Sequence, residues 1–453
     1  MKISFECADK INGLLTMTVE PADYQEAVEK TLKNYRKKAQ VPGFRPGMVP
    51  MGMIKKQYGT AVKVDEVNKL MGEKLYEYIH ENKIQMLGEP LPNQEKQVPQ
   101  DFEKDGELTF VFDIAVAPEF KAELTGRDKI DYYTIKVDDK IIDDQVQMYA
   151  SQGGEFVKAE VFSGNDTITG DLRELDADGN TKEGGITTEA GMLMPAYFKG
   201  EDQKKLFEGA KPGDIITFNP KKAYPDNDAE VAALLKVEKD QVKDLNADFS
   251  YQITEIRHFQ PAAIDQKLFD RVFGEGTVKD EKEFREKIAA TIAPQLQQNS
   301  DYKFLLDVRK HMEKKVGKLE FPEALLKRVM LQNNQDKGAD YVEKNFEGSI
   351  KELAWHMIKE QLVAANEIKV EDADLKAVAK DAIRAQFAQY GMSNVPDDVL
   401  ENYAAEQLKK RENVDNFVDR AVDLKLTETL KKVVKLNEKS VTLEEFNKLM
   451  QEK

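Results

Sequence analysis

Cysteine is almost absent from this chain of 453 residues. Cys7 is the only one, so an intramolecular disulfide is impossible, and metal clusters held by several cysteines are excluded. The four histidines are scattered along the chain and form no H-E-x-x-H pattern, and the sequence contains no Walker loop and no G-x-S-x-G motif. The sequence therefore predicts no metal and no cofactor, and it offers no basis for assigning a catalytic residue.

Long apolar runs are also missing. No segment approaches the ~20 apolar residues that a membrane span requires. The opening stretch, MKISFECADKINGLL, contains no apolar run of signal-peptide length. These patterns predict a soluble cytoplasmic protein that makes no membrane contact.

What the chain does contain is charge. Charged residues make up 33% of the sequence, above the usual quarter or so, and the formal net charge is −16. A length of 453 residues indicates two to four domains, because single cores rarely grow beyond about 250 residues. The excess of charge favours an elongated, surface-rich molecule with long amphipathic helices, and the negative sign restricts any nucleic-acid contact to a local patch.

The order of patterns along the chain predicts a multidomain α+β protein. Residues 1–117 alternate apolar and polar positions around helical periodicities, which indicates an α/β domain. Residues 118–154 are interpreted as a connector, and residues 155–260, rich in Gly, Pro and short strand-like runs, as a small β-rich module. Residues 261–453 are helical in pattern, with Pro294, Pro322 and Pro396 as punctuation and an apolar stripe over 414–434 that includes Leu424.

Two short motifs have specific structural interpretations. DADGN (176–180) suggests a calcium loop, but the sixth and twelfth positions hold Thr181 and Thr187 where such a loop needs Gly and Glu. Asp-Gly and Gly-Asn pairs form turns, so a hairpin turn is predicted there. Thr442 and Glu445 have capping-box spacing and predict the start of a final helix.

One window of the sequence contrasts with the acidic whole. Residues 30–64 contain no Asp or Glu, although roughly six acids would be expected at the chain-wide frequency of 83 in 453. The same window holds nine basic residues, and its loop places Phe44 and Arg45 between Gly43 and Gly47. Such a pair offers a planar donor for phosphate or carboxylate together with an apolar anchor. Clustered charge most simply indicates a solvated helix face. The absence of acids, the nine basic residues and the Phe44–Arg45 pair together favour a tip that docks on an anionic, partly protein surface.

The stretch GFRPGMVP (43–50) resembles the ribosome-docking loop of the trigger factor family, whose pattern reads G-F-R-x-G-K-x-P. The segments FDRVFGEGTVKDEKEFREKI (269–288), LEFPEALLKRVM (319–330) and VTLEEFNKLM (441–450) also resemble family segments. The resemblance implies an N-terminal α/β ribosome-binding domain, a connector, a small β-rich FKBP-like prolyl isomerase module and an all-helical C-terminal chaperone domain, in the order found here.

The docking role implied by this resemblance applies only to the positions that match. They are Gly43, Phe44, Arg45, Gly47 and Pro50, with electrostatic support from the flanking Lys33, Arg36, Lys37, Lys38, Lys55 and Lys56. Pro46 and Met48 stand where the family usually has lysine, so the loop itself carries two fewer positive charges. Met48, Met51 and Met53 offer a polarizable apolar surface instead.

The isomerase module departs further from its family. FKBP-type enzymes hold proline among aromatic rings, but Leu172, Thr181 and Lys182 stand where aromatic residues are expected. The remaining aromatic candidates for pocket walls can equally be core residues of a small module; they are Tyr197, Phe198, Phe207, Phe218 and Tyr224. At most weak prolyl isomerase activity is therefore expected.

The favoured function is an ATP-independent chaperone that docks on the large ribosomal subunit, on protein and rRNA near the polypeptide exit, and shields apolar segments of unfolded nascent polypeptides. The alternative is an enzyme that acts mainly as a peptidyl-prolyl cis/trans isomerase on folding proteins. A third interpretation is a helical scaffold that uses the basic tip on another anionic partner. A weak homodimer is left open.

Overall fold

The computed structural model describes residues 1–42, 44–45, 47–390, 392 and 395–451. Gly43 and Pro46 of the predicted docking loop lie outside the described residues. Contacts divide the chain into two compact units, one formed by Met1–Tyr132 with Asp301–Glu438 and the other by Tyr133–Ser300 with Lys439–Lys453. In the described part of the chain, no helix is long and apolar enough to cross a membrane.

Strands and helices are interspersed through the first 260 residues, and helices dominate after them. The strands are β1 (Lys2–Glu6), β2 (Asn12–Val19), β3 (Leu91–Pro92), β4 (Leu108–Ala115), β5 (Lys129–Ile135), β6 (Glu155–Lys158), β7 (Thr167–Glu174), β8 (Thr187–Leu193), β9 (Ile215–Phe218), β10 (Phe249–Gln260) and β11 (Lys435–Val441). The helices up to residue 260 are α1 (Pro21–Lys38), α2 (Met51–Glu81), α3 (Asp139–Gln152), α4 (Glu201–Lys205), α5 (Pro220–Ala223) and α6 (Asp228–Leu235). The later helices are α7 (Gln266–Phe273), α8 (Glu281–Val316), α9 (Glu323–Asn333), α10 (Gly338–Ala365), α11 (Asp372–Gln389), α12 (Asp397–Leu408), α13 (Arg411–Val433) and α14 (Leu443–Gln451).

The first unit begins with an antiparallel sheet in the order β1-β2-β4-β3. Alternation in β2 buries Leu15, Met17 and Val19 completely, and these residues pack against the apolar stripe of α2. The helical pattern that predicted α1 and α2 is confirmed, and Pro50 is the residue immediately before α2.

The sheet is joined to the helical part of the same unit through α9. Arg328 donates from Nη1 to Asp113 Oδ2 at 2.6 Å and from Nη2 to the carbonyl of Pro92 at 2.9 Å. Gly88 lies against Val329, with a φ of +78° and so little space that a Cβ would come within 2.8 Å of Val329 Cγ1. A side chain at position 88 would be both strained and obstructed, so glycine is required there.

Helices α8, α10 and α13 supply most of the second core of this unit, around Phe304, Trp355 and Leu430. The same unit contains a mostly buried carboxylate: Asp128, whose side chain is 10% exposed, accepts hydrogen bonds from Lys315 Nζ at 2.8 Å and from His311 Nε2 at 3.0 Å. Although burial opposes the ionised form, these hydrogen bonds hold the pKa of the Asp128 carboxyl well below its ordinary value.

Two details of the helical pattern differ from the expectation. Pro294 lies inside α8, although proline was expected to punctuate the helical region there. Leu424, assigned to the buried stripe of α13, is exposed, whereas Leu426 and Thr427 are buried. The predicted capping box is confirmed, since Thr442 and Glu445 exchange hydrogen bonds at the start of α14.

The second unit contains a five-stranded antiparallel sheet built on β10. This long strand pairs with β7 on one side and with β6 and β9 on the other, and β8 extends the sheet beyond β7. The predicted turn at 176–180 is confirmed: the carboxylate of Asp176 accepts hydrogen bonds from the backbone of Asp178 and Asn180, and Gly179 has a φ of +81°. β5 and β11 form a separate two-stranded sheet, and each of these strands has residues in both units.

Candidate functional site

The basic window folds into α1, α2 and the loop between them, which we call the tip loop (residues 39–50). Two of its described docking candidates face solvent with their side chains: Phe44 is 40% exposed and Arg45 is also exposed. Two turns shape the loop, since Phe44 N donates to the carbonyl of Val41 at 3.1 Å and Met48 N to that of Arg45 at 2.9 Å. Gly47, with a φ of +83°, adopts a conformation that strongly favours glycine.

The tip loop is held to the helices by Val49, the neighbour of the exposed Met48. Met48 is 68% exposed, whereas Val49 is fully buried in a small cluster with Leu32 and Ile54. Arg36 Nε donates to the carbonyl of Val49 at 2.9 Å. The exposed side chains of the loop are therefore presented from a fixed base.

The nine basic residues differ in burial, and only the exposed ones can contact a partner. Lys63 is only 6% exposed; its Nζ donates to the carbonyl of Lys104 at 2.7 Å and lies 5.1 Å from the centre of the Tyr24 ring. Arg36 is half-buried and is engaged with the tip loop itself. The remaining seven are exposed and are available to a partner; they are Lys30, Lys33, Lys37, Lys38, Arg45, Lys55 and Lys56.

In the folded protein, acidic side chains do approach parts of the basic window away from the tip loop. Lys55 Nζ lies 3.9 Å from Glu29, the acid that precedes the window, and Thr31 donates a hydrogen bond to Glu66 at 2.6 Å. An exposed pair at such a distance contributes little binding energy and leaves the lysine free to exchange partners.

The candidate prolyl-pocket rings lie in the second unit and are mostly interior. Phe198, Phe207 and Phe218 are all buried and pack on one another, with ring centroids 5.4 to 5.9 Å apart. Tyr224 is partly buried, and its ring meets that of Phe198 edge-on at 5.1 Å. Tyr197 differs from them all, with 69% of its surface exposed.

A further ring, which the sequence analysis did not select, holds this cluster to the sheet. Tyr251 on β10 is fully buried, lies 6.1 Å from both Phe207 and Phe218, and donates its hydroxyl to the carbonyls of Ile168 and Gly191, both at 2.9 Å. Burial raises the pKa of the Tyr251 hydroxyl, so it remains a donor at any physiological pH. Its place in the alternation of β10 is the signal that would have identified it.

Burial also affects the hydroxyl of Tyr224, whose pKa it raises to about 12 with a smaller contribution from the charge of Glu230. Leu172, near the place where the family resemblance predicts an aromatic residue, is buried beside Gly191: a Cβ on that glycine would lie 2.4 Å from Leu172 Cδ1. Rings packed so closely on one another present little surface to a ligand. Tyr197 is the candidate that remains open to one.

Three family models match successive parts of this chain. The model described as bacterial trigger factor protein matches residues 1–149, that of the probable trigger factor FKBP-like domain matches residues 156–261, and that of the probable trigger factor C-terminal domain matches residues 300–450.

Two relatives show the same similarity over nearly the whole chain. The trigger factor of Chlorobaculum tepidum is 22% identical over 455 residues, covering 98% of each chain, and that of Shewanella woodyi is 24% identical over 479 residues, covering all of both. A solved structure titled "Promiscuous Substrate Recognition in Folding and Assembly Activities of the Trigger Factor Chaperone" is 14% identical, with a TM-score of 0.47 over 95% of this chain and all of that one. With trigger factor models matching its N-terminal, FKBP-like and C-terminal regions in turn, the chain belongs to the trigger factor family, chaperones that contain an FKBP-like domain.

Proposed function

We propose that this protein is an ATP-independent cytoplasmic chaperone that docks on the large ribosomal subunit near the polypeptide exit and shields apolar segments of nascent chains. The observation that carries the proposal is the tip loop, where Phe44 and Arg45 face solvent above a base fixed by the buried Val49. A ribosomal surface offers rRNA phosphates and acidic or apolar protein groups. The tip loop and the exposed lysines around it have the complementary chemistry.

The number of exposed basic residues limits how strongly ribosome binding can depend on salt concentration. Seven basic residues of the window are exposed, so no more than that number of phosphate contacts can form there. With about 0.9 counterions released per duplex phosphate contact, the logarithm of affinity should fall with the logarithm of salt concentration at a slope no steeper than about −6. A shallower slope is expected, because Phe44 and Met48 add contacts that do not depend on salt.

Co-sedimentation with purified ribosomes tests the docking. The double variant Phe44→Ala, Arg45→Ala should lose most binding while its circular dichroism spectrum stays unchanged, since neither side chain is buried. The matched control is Phe156→Ala, Arg420→Ala, which removes the same two residue types from exposed positions elsewhere and should bind normally. Unaltered binding by the folded tip variant would disprove the docking assignment.

We propose that the helical region after residue 261 carries the client-binding surface. Among its described residues it exposes the large side chains Tyr390, Met392 and Tyr403, and the ring of Tyr403 meets that of Phe387 edge-on at 5.4 Å. Scattered apolar groups of this kind suit weak contacts with many client sequences, with release by simple dissociation.

Light scattering during refolding of a denatured client, without ATP, tests this surface. Tyr390→Ser, Tyr403→Ser should suppress aggregation less well than the unaltered chain. The control is Tyr76→Ser, which removes a tyrosine of α2 that is about as exposed as Tyr403, and it should protect fully. Equal protection by the two variants would place the client surface elsewhere.

Prolyl isomerisation is proposed as at most a weak activity of the FKBP-like domain. What supports this is the interior packing of Phe198, Phe207 and Phe218, which leaves Tyr197 as the open ring. The full chain should accelerate cis/trans exchange in an Xaa-Pro peptide only slightly, and Tyr197→Ala should reduce what acceleration there is. Exchange as fast as that of an efficient FKBP enzyme would make isomerisation the main function instead.

A further inference from the structure

The outer edge of β4 is closed by side chains where a neighbouring strand would be expected. β3 pairs with β4 through Leu91 and Pro92, and two further backbone bonds flank this pairing: Leu87 N donates to the carbonyl of Ala115 at 2.8 Å, and Asn93 N donates to that of Val111 at 2.9 Å. Beyond that point the partners are side-chain oxygens: Val111 N donates to Gln97 Oε1 at 2.7 Å, and Thr109 N donates to Gln100 Oε1 at 2.9 Å.

The two glutamines are also joined to each other through one carbonyl. The Nε2 of Gln97 donates to the carbonyl of Val98 at 2.8 Å, and the Nε2 of Gln100 donates to the same oxygen at 2.6 Å. Each side chain therefore accepts from the strand and donates to the loop, as a residue of a neighbouring strand would do. We call residues 97–100 the glutamine clasp.

The clasp is held in place from both sides. Before it, Asn93 Nδ2 donates to Asp113 Oδ1 at 2.6 Å. After it, the ring of Phe102 packs 6.5 Å from that of Phe110, and the buried Lys63 holds the carbonyl of Lys104. Lys63, although it belongs to the basic window, therefore helps to hold the clasp and does not belong to the tip loop.

We propose that the glutamine clasp keeps extended client segments from adding to the edge of β4. An open strand edge presents unpaired N–H and C=O groups to any extended chain, and a chaperone holds such chains at high local concentration. Side-chain acceptors satisfy the strand while offering an incoming chain no backbone ladder to continue. The proposal rests on client binding but is independent of ribosome docking.

Hydrogen exchange followed by mass spectrometry on the full chain tests the structural part. In Gln97→Ala, Gln100→Ala, exchange in the segment containing Thr109 and Val111 should accelerate by about fivefold for each lost bond. Gln94→Ala is the matched control, since it removes an exposed glutamine from the same loop and should leave that exchange unchanged. If the double variant is poorly folded, the two single substitutions should each accelerate exchange to a smaller extent. Unchanged exchange in all three clasp variants would overturn the proposal.

Fluorescence anisotropy tests the functional part with a labelled peptide of alternating valine and threonine that has lysine at both ends. The double variant should bind this peptide about tenfold more tightly than the unaltered chain or Gln94→Ala. A peptide with proline at alternate positions cannot continue a hydrogen-bond ladder and should show no such gain. Equal affinity of all three proteins for the first peptide, or the same gain for the proline peptide, would overturn the proposal. Because ribosomes are absent, neither result depends on docking.

Discussion

Replacing Phe207 by alanine distinguishes a core ring from the wall of a prolyl pocket. This side chain is fully buried, and its ring lies 5.6 Å from that of Phe198, 5.4 Å from that of Phe218 and 6.1 Å from that of Tyr251. Removing such a ring should destabilise the FKBP-like domain by about 3–5 kcal/mol. A domain of this size has a total stability of roughly 5–15 kcal/mol, so the substitution should remove a large part of it.

Hydrogen exchange in β7 and β10 is the appropriate assay, because Trp355, the single tryptophan, lies in the other unit and its fluorescence does not report on this sheet. A loss of 3 kcal/mol should accelerate exchange there by more than about 100-fold. Tyr197→Ala is the control: its exposed ring should change the stability by less than about 0.5 kcal/mol. If Phe207→Ala instead slows prolyl isomerisation while exchange changes by less than about threefold, the ring lines a pocket and the reasoning is wrong.

Two further predictions concern the first unit. In a double-mutant cycle, Arg328→Ala and Asp113→Ala should show a coupling free energy of about 1–2 kcal/mol, because both side chains are mostly buried and their hydrogen bond is charged. Hydrogen exchange in α9 measures the stability of each variant, and additive effects of the two substitutions would contradict this prediction. Asp128→Asn should lower the melting temperature at neutral pH. Since hydrogen bonds from Lys315 and His311, against the opposing effect of burial, depress the pKa of Asp128, its stabilisation is complete above about pH 4 and is lost as the pH falls towards the folded-state pKa. The difference from the unaltered chain should therefore shrink in acid, and a constant difference would contradict the assignment.

Local patterns predicted much of the fold. Alternation in β2 and β4 and the capping box at Thr442 depend on neighbouring residues alone, and the structure confirms them. Pro294 was harder to interpret, because proline at a single position removes one hydrogen bond that packing along a long helix can offset. The exposure of Leu424 shows the same limit, since only the neighbouring helices determine which face of α13 is covered.

For the candidate sites, charge and residue type alone were not enough to predict which residues are exposed and which are buried. Lys63 counted among the cations of the basic window, but it lies one helical turn before the buried Val67 and so shares the interior stripe of α2. That spacing is visible in the sequence and could have separated it from the exposed lysines. For Phe207 no such signal exists, because a pocket wall and a core residue have the same composition and the same place in the pattern. The glutamine clasp was equally invisible, since its hydrogen bonds join residues that no periodicity relates.

The small sheet of β5 and β11 has a consequence for the order in which this protein can be made. Its two strands are separated by roughly 300 residues of chain, which a ribosome synthesises in about 15–60 s at about 5–20 residues per second. Until β11 emerges, β5 has no strand to pair with, and the helices that bury its residues Ile130 and Tyr132 are still incomplete. The strands of the FKBP-like domain, in contrast, all lie within 155–260 and can pair long before synthesis ends. During much of its synthesis this protein is therefore itself an incomplete polypeptide with exposed apolar surface, which is the kind of chain that a chaperone binds.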